Sequence, residues 1–257
     1  MRYSSIFKIV FLFFVLILQS CASRKSVAYL QDINSNTNSS TTASYEPVLK
    51  NDDLLSIIVS ADDPELTYMF NVPQVQGNYK VTENQEGTKT YLIDSNGEIT
   101  YPVLGKIKLA GLTRTQAVAL ITDKVRPYIE KNPTVNLRIL NFKFSVLGEV
   151  NKPGSHTIPS ERVTLLEALA NAGDLTIYGK RDNILVIREK DGNKIYNRID
   201  ITKSDFINSE FYYLTQNDVV VVEPNKTRVN ASAFGPNITA IISATSVILS
   251  ILILLTR

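Results

Sequence analysis

Cysteine, histidine and tryptophan are nearly missing from this chain: 257 residues hold one Cys, one His and no Trp. A single Cys excludes an internal disulfide and leaves no partner thiol for redox exchange. A single His, His156, argues against a multi-histidine metal centre or a His-based catalytic relay. Charge is scarce in net terms too. The formal value is +2, and both excess positive charges, Arg2 and Lys8, lie in the first twenty residues, which contain no acid. The remainder of the chain carries no basic stripe able to neutralise phosphates, so nucleic acid is not an expected partner. Nothing in these residues calls for a cofactor or a metal.

The position of the lone Cys is informative. Arg2 and Lys8 form a positive head, Ile9 to Leu18 is an unbroken run of ten apolar residues, and Ser20 precedes Cys21. Ten apolar residues are too few to span a bilayer but suit the core of a secretory signal. Residues 1–20 are therefore expected to be a signal peptide, and Cys21, as in bacterial lipoproteins, to carry the lipid. Residues 21–44 include QDINSNTNSSTTAS, which has too little apolar surface to fold and reads as a flexible tether.

From Tyr45 the pattern changes. LLSIIVS (Leu54–Ser60) reads as a buried strand. TYLIDSNGEITYPVLG (Thr90–Gly105) reads as a hairpin turned at Asn96-Gly97. Thr113 with Gln116 forms a capping-box pattern ahead of Ala117, Leu120, Ile121 and Val125 at helical spacing, and Pro127 ends that helix. Val135, Leu137 and Ile139 alternate with polar residues as a strand. A second unit comes next. KFSVLGEV and SHTIPS are strands joined by NKPG, and VTLLEALANAG has a second capping box (Thr164, Glu167) and closes at Gly173. A hairpin turned at Asp191-Gly192 and a Val-rich strand complete it. The fold class expected is α+β, in two small domains over 45–141 and 142–225.

The final segment, 226–257, contains eighteen uncharged residues from Ile238 to Leu255. As a helix this run is about 27 Å long and is expected to be transmembrane. Thr239, Ser243, Ser246 and Ser250 fall within about 60° of one helical face. That stripe either lines a water-filled lumen or packs against a neighbouring helix, a role that Ala240 and Ala244 also suit.

Several stretches together resemble a known family. Asp53-Leu54-Leu55-Ser56-Ile57, the Gly97 turn with Tyr101-Pro102-Val103-Leu104-Gly105, and Gly111-Leu112-Thr113 resemble the polysaccharide export domain of outer-membrane capsule and exopolysaccharide exporters. VLGEVNKPG (Val146–Gly154), then a helix and Ala172 to Leu175, resembles the soluble-ligand-binding β-grasp (SLBB) domain that comes after it there. In this resemblance Asp53, Gly97, Pro102, Gly105, Gly148, Pro153, Gly154 and Gly173 are structural motif positions. Asp52 and Asp174 replace family glycines and are expected to change turn geometry. The resemblance implies an acylated subunit of a ring-shaped homo-oligomer in the outer membrane, with its domains in the periplasm and its C-terminal helices forming a pore. It further implies polysaccharide as cargo and an inner-membrane polysaccharide co-polymerase, or chain-length regulator, as partner.

Such a protein moves polymer and is not an enzyme. Asp62 and Asp63 are the carboxylate pair nearest to glycosidase chemistry, but they sit in a turn-like segment where solvated Asp is ordinary. His156 is expected to be structural, with ligand binding as the lesser alternative. The competing reading is a non-transporting envelope lipoprotein, a scaffold or glycan-binding module.

Overall fold

The computed structural model describes residues 27–33, 45–71, 90–129, 131–190, 192–234 and 238–255. Cys21 lies outside them. The first domain is organised by β1 (Leu54–Ser60), whose alternate residues Leu55, Ile57 and Val59 are buried. Antiparallel to it on either side run β2 (Thr90–Leu92) and β5 (Thr134–Ile139). Val135, Leu137 and Ile139 of β5 point into the same core, as their alternation requires. A short helix, α1 (Pro64–Tyr68), comes after β1. The longer α2 (Arg114–Val125) packs on β5 through Ala117, Ile121 and Val125. Its capping box is formed in both directions: Gln116 N donates to Thr113 Oγ1 at 3.2 Å, and Thr113 N donates to Gln116 Oε1 at 2.9 Å. The helix stops at Val125, two residues before Pro127.

The Asn96-Gly97 turn is present, but it does not join paired strands as expected. β2 is hydrogen-bonded to β1, and β3 (Glu98–Tyr101) to β4 (Gly105–Lys108). The reason is local. Asp94 Oδ1 accepts from the backbone N–H of both Asn96 and Glu98, at 2.9 and 2.8 Å, replacing ladder partners with a side chain. Ile93 N meanwhile donates to Asp53 O. The chain therefore turns out of one sheet and starts another.

The second domain is a five-stranded sheet in the order β10-β9-β12-β6-β7. Its strands are β6 (Lys143–Gly148), β7 (Gly154–Thr157), β9 (Gly179–Lys190), β10 (Asn193–Ile199) and β12 (Val219–Pro224). All neighbours are antiparallel except β12 and β6. A two-stranded ribbon of β8 (Val163–Thr164) and β11 (Tyr213–Leu214) supports α3 (Leu165–Asn171), whose Thr164–Glu167 capping box is also formed. The expected β9–β10 hairpin is present, with Lys190 opposite Asn193; Asp191 lies outside the described residues.

Gly148, one of the structural motif positions of the family resemblance, is required by a close approach of two strands. It ends β6 at φ 92°, and a Cβ there would stand 2.0 Å from the backbone oxygen of Val222. The parallel β6–β12 pair can close only because this position has no side chain.

Both domains share one continuous hydrophobic core, with Phe142 and Phe144 at the junction. Beyond β12 the chain forms α4 (Lys226–Phe234) and α5 (Ile238–Leu255). Among the described residues no helix is long and apolar enough to cross a membrane. At 1.5 Å per residue α5 reaches about 27 Å against a typical core of about 30 Å.

Gly148→Ala is expected to lower stability by more than about 2 kcal/mol, since the added methyl overlaps backbone that cannot move alone. Urea denaturation of residues 45–225 checks this. An unchanged midpoint would mean that the β6–β12 spacing yields.

Candidate functional site

Three places in the structure gather groups capable of function. The first is α5. Ile242, Val247, Ile248, Ile251 and Leu254 are all exposed, Leu254 at 80%. On the small-residue stripe Ser243, Ser246 and Ser250 are exposed as well, while the Thr239 side chain lies outside those described. The hydroxyls of Ser246 and Ser250 donate to the carbonyls of Ile242 and Ser246, each at 2.8 Å. They are satisfied on their own backbone and need no water to be so. The stripe is a narrow, low-profile surface, compatible with a lumen or with close helix approach.

The second place is the seam between the domains. Tyr45 stacks on Tyr213 at 4.8 Å and donates its hydroxyl to Leu214 O. Lys50 Nζ donates to Thr215 Oγ1 at 3.2 Å and to Gln216 O at 3.3 Å, and burial pulls its pKa down. Gln216 then binds the interdomain link: its Oε1 accepts from Lys143 N, and its Nε2 donates to Asn141 O. Asn141 in turn accepts from Leu54 N and donates to Asp52 O. Beside this network is a cavity of about 70 Å³ that Asp53 helps to line. Asp53 is fully buried. Its Oδ2 accepts from Lys50 N at 2.8 Å, while Oδ1 has no partner among the described residues. Burial pushes its pKa up to about 6, against the backbone hydrogen bond from Lys50. A space of this size holds about two waters, and the groups around it are occupied in joining the two domains.

The third place is not visible in the sequence. Within the segment read as a flexible tether, Val27–Ile33 lies on the second domain. Leu30 N donates to Ile201 O at 3.2 Å and Gln31 N to Thr202 O at 2.7 Å. The Tyr29 hydroxyl donates to Asp174 Oδ1, and the Arg181 guanidinium lies over its ring at 5.3 Å. Burial, with the Asp174 hydrogen bond, pushes the Tyr29 pKa up to about 12. The one hint in the sequence is an aromatic residue ahead of a Ser/Thr/Asn-rich run.

The remaining sequence candidates are dispersed. Pro102 and Gly105 bracket the β3–β4 connection, with Gly97 at the preceding turn. Pro153 precedes Gly154, where β7 opens, and Gly173 lies just past α3 at φ 75°. His156 stacks on Phe144 at 5.6 Å, with Nε2 3.1 Å from Lys152 O. Asp63 caps α1 by accepting from Glu65 N, and both it and Asp62 are exposed. Among the described residues no three His, Cys, Asp or Glu side chains are grouped to hold a metal ion.

The raised pKa of Asp53 has a signed consequence. A carboxyl that binds its proton more tightly when folded makes stability fall as pH rises from about 4 to about 6, and level off above. Asp53→Asn keeps an acceptor for Lys50 N and removes the buried charge. It is expected to flatten that window and to add on the order of 1 kcal/mol at neutral pH. Thermal melts across pH 4 to 8 read both effects; a destabilised Asn variant at pH 7 would show the charge to be needed.

The two domains have counterparts among known proteins. Residues 41–140 match the model of the polysaccharide biosynthesis/export protein family, and residues 142–222 match the SLBB domain. The EPS I polysaccharide export outer membrane protein EpsA of Ralstonia solanacearum is 30% identical over 180 residues, covering 68% of this chain and 47% of that protein. The polysialic acid transport protein KpsD of Escherichia coli is 30% identical over 141 residues, covering 52% of this chain and 24% of that protein. The chain thus spans less than half the length of these relatives. With an export domain and an SLBB domain matched in order along it, the chain belongs to the polysaccharide export family.

Proposed function

We propose that this chain is a subunit of an oligomeric outer-membrane channel that exports capsular or extracellular polysaccharide. In this reading residues 1–20 are removed as a signal peptide and Cys21 carries the lipid. Residues 45–141 are the export domain, 142–225 the SLBB domain, and 226–257 the linker and membrane helix. Copies assemble as a ring, and the α5 helices together line the passage through a membrane thinner than average, which about 27 Å of helix can cross. The polymer is moved, not made or cut; synthesis and energy come from inner-membrane partners, and a polysaccharide co-polymerase or chain-length regulator is the partner of this chain. The EpsA name speaks of polysaccharide export and of an outer membrane protein, and the KpsD name of polysialic acid transport; an outer-membrane location is carried to this chain by the same proposal.

One observation carries the reading. The two matched domains are followed by an uncharged eighteen-residue helix whose described apolar side chains are exposed. Leaving a Leu or Ile side chain in water forgoes about 1.5–3 kcal/mol, so such a helix requires lipid or other copies around it. A second reading, a non-transporting lipoprotein whose helix only anchors, draws on the back-bonded hydroxyls of Ser246 and Ser250, which a packed stripe equally tolerates.

Thiol accessibility separates the two. Single Cys at Ser246 or Ser250 is expected to react with a charged, membrane-impermeant reagent and to obstruct export, while Cys at Ile248, on the opposite face, reacts little. Thiol chemistry needs the thiolate, which water supports and hydrocarbon does not. Equal protection of both faces favours the anchor. Undiminished surface polysaccharide after removal of residues 238–257 rejects the channel. Separately, Cys21→Ser is expected to abolish incorporation of labelled fatty acid, and retained label would reject acylation there.

A further inference from the structure

The two segments assigned to the membrane leave the second domain on either side of one loop. On one side is the Tyr29 segment, held at Asp174. Val27 is six residues from Cys21, so a lipid on that Cys stays within about 20 Å of it even if the chain between is fully extended. On the other side is the root of α4: Asn225 N donates to Tyr178 O at 2.7 Å, and Arg228 lies over the Tyr178 ring at 5.4 Å while pairing with Glu149 at 3.1 Å. Between them runs Leu175 to Tyr178, the connection into β9.

The surface of this connection does not suit a solvated loop. Leu175 is buried and fixes its base, yet Ile177 is 68% exposed and Tyr178 38%. Val229, on the adjoining turn of α4, is 51% exposed. The loop is not loose. Arg181 donates to Thr176 O and Gly179 O, at 3.3 and 3.0 Å, and Thr176 Oγ1 donates to Glu149 Oε2 at 2.8 Å. A braced loop with an aliphatic tip, a tyrosine beside it and a guanidinium behind has the chemistry of an interfacial anchor. The aliphatic group enters the acyl boundary and the amphipathic ring rests at headgroup depth, held there by the Arg228–Glu149 pair behind it.

We propose that the Leu175–Tyr178 loop is a third membrane contact, seating the SLBB domain on the lipid surface beside its acyl chain and its helix. The proposal rests on the reading that Cys21 and α5 are membrane-bound. Seated in this way, the second domain faces the bilayer and the export domain is turned away from it. Three attachments fix the tilt of the domain, where two long leashes would leave it free to rock.

The absence of tryptophan from the chain supplies the probe. Full-length acylated protein carrying Ile177→Trp, or Tyr178→Trp as a gentler second reporter, is reconstituted into phosphatidylcholine–phosphatidylglycerol vesicles with or without bromine on the upper acyl carbons. Tyr68→Trp in the export domain and Val247→Trp on α5 are the controls. The proposal expects the reporters at 177 and 178 to lose emission in brominated vesicles, together with the one at 247, while the one at 68 is unaffected. Quenching at 247 but not at 177 or 178 overturns the loop contact and leaves the membrane helix standing. Absence of quenching at all three positions overturns both. Blue-shifted emission at 177 and 178 without bromine quenching assigns the loop to a contact between copies and likewise overturns the proposal.

Discussion

A buried ion pair holds the turn on which the two domains meet. Arg188 Nη2 reaches Asp218 Oδ2 at 2.7 Å, with the two side chains 5% and 0% exposed. Taking both charges out of water is costly, and is tolerable here because every direction is filled. Asp218 also accepts from Thr215 N and Thr215 Oγ1, each at 2.8 Å. Arg188 donates further to Tyr213 O and Glu210 O and lies over the Phe211 ring. The result is a rigid Thr215–Asp218 turn. Lys50 of the first domain and the link at Asn141–Lys143 both bind to that turn. Loss of either charged partner would strand the other in a dry core and loosen the seam with it.

Backbone strain is spread over several turns. Asp52 and Asp174 hold φ of 67° and 68°, so the turns at these two positions keep a glycine-like shape and are not remodelled as expected. Each has a compensating bond. The Asp52 carbonyl receives Asn141, and the Asp174 carboxylate receives Tyr29 and its own neighbour Leu175 N. A glycine at 174 would relieve the backbone and lose the latch for the N-terminal segment. Asp tolerates this conformation better than most residues because its short side chain bonds locally. Val103 at φ 65° is the harder case, β-branched and exposed in the Pro102–Leu104 turn, with Leu104 N returning to Pro102 O.

How much of this was legible in the sequence depends on how local each signal is. Both capping boxes, the α2 stop before Pro127, the β5 alternation and the β9–β10 hairpin depend on residues a few positions apart, and all are present. The β2 partner is not legible because Asp94 satisfies the turn with its side chain, a choice the Asn-Gly signal does not encode. The role of Gly148 is not legible because a parallel partner far along the chain cannot be seen from VLGEV. The Tyr29 contact is hidden for the same reason: low apolar content argues that a segment cannot fold alone, and says nothing about whether it can dock. Lys50, Thr215 and Gln216 carry no motif whatever, since a seam is made from backbone carbonyls and long-range geometry.

The contrast between the seam and the helix bears on how the protein can work. The seam is polar, wedged by Gln216 and Asn141 around the short crossing from β5 to the second domain, and the shared core runs through it. Turning one domain against the other would break several part-buried hydrogen bonds together, each worth about 0.5–1.5 kcal/mol net. The described apolar side chains of α5 are instead exposed, a surface suited to lipid or to other copies. The seam and the shared core together hold the two domains as one body.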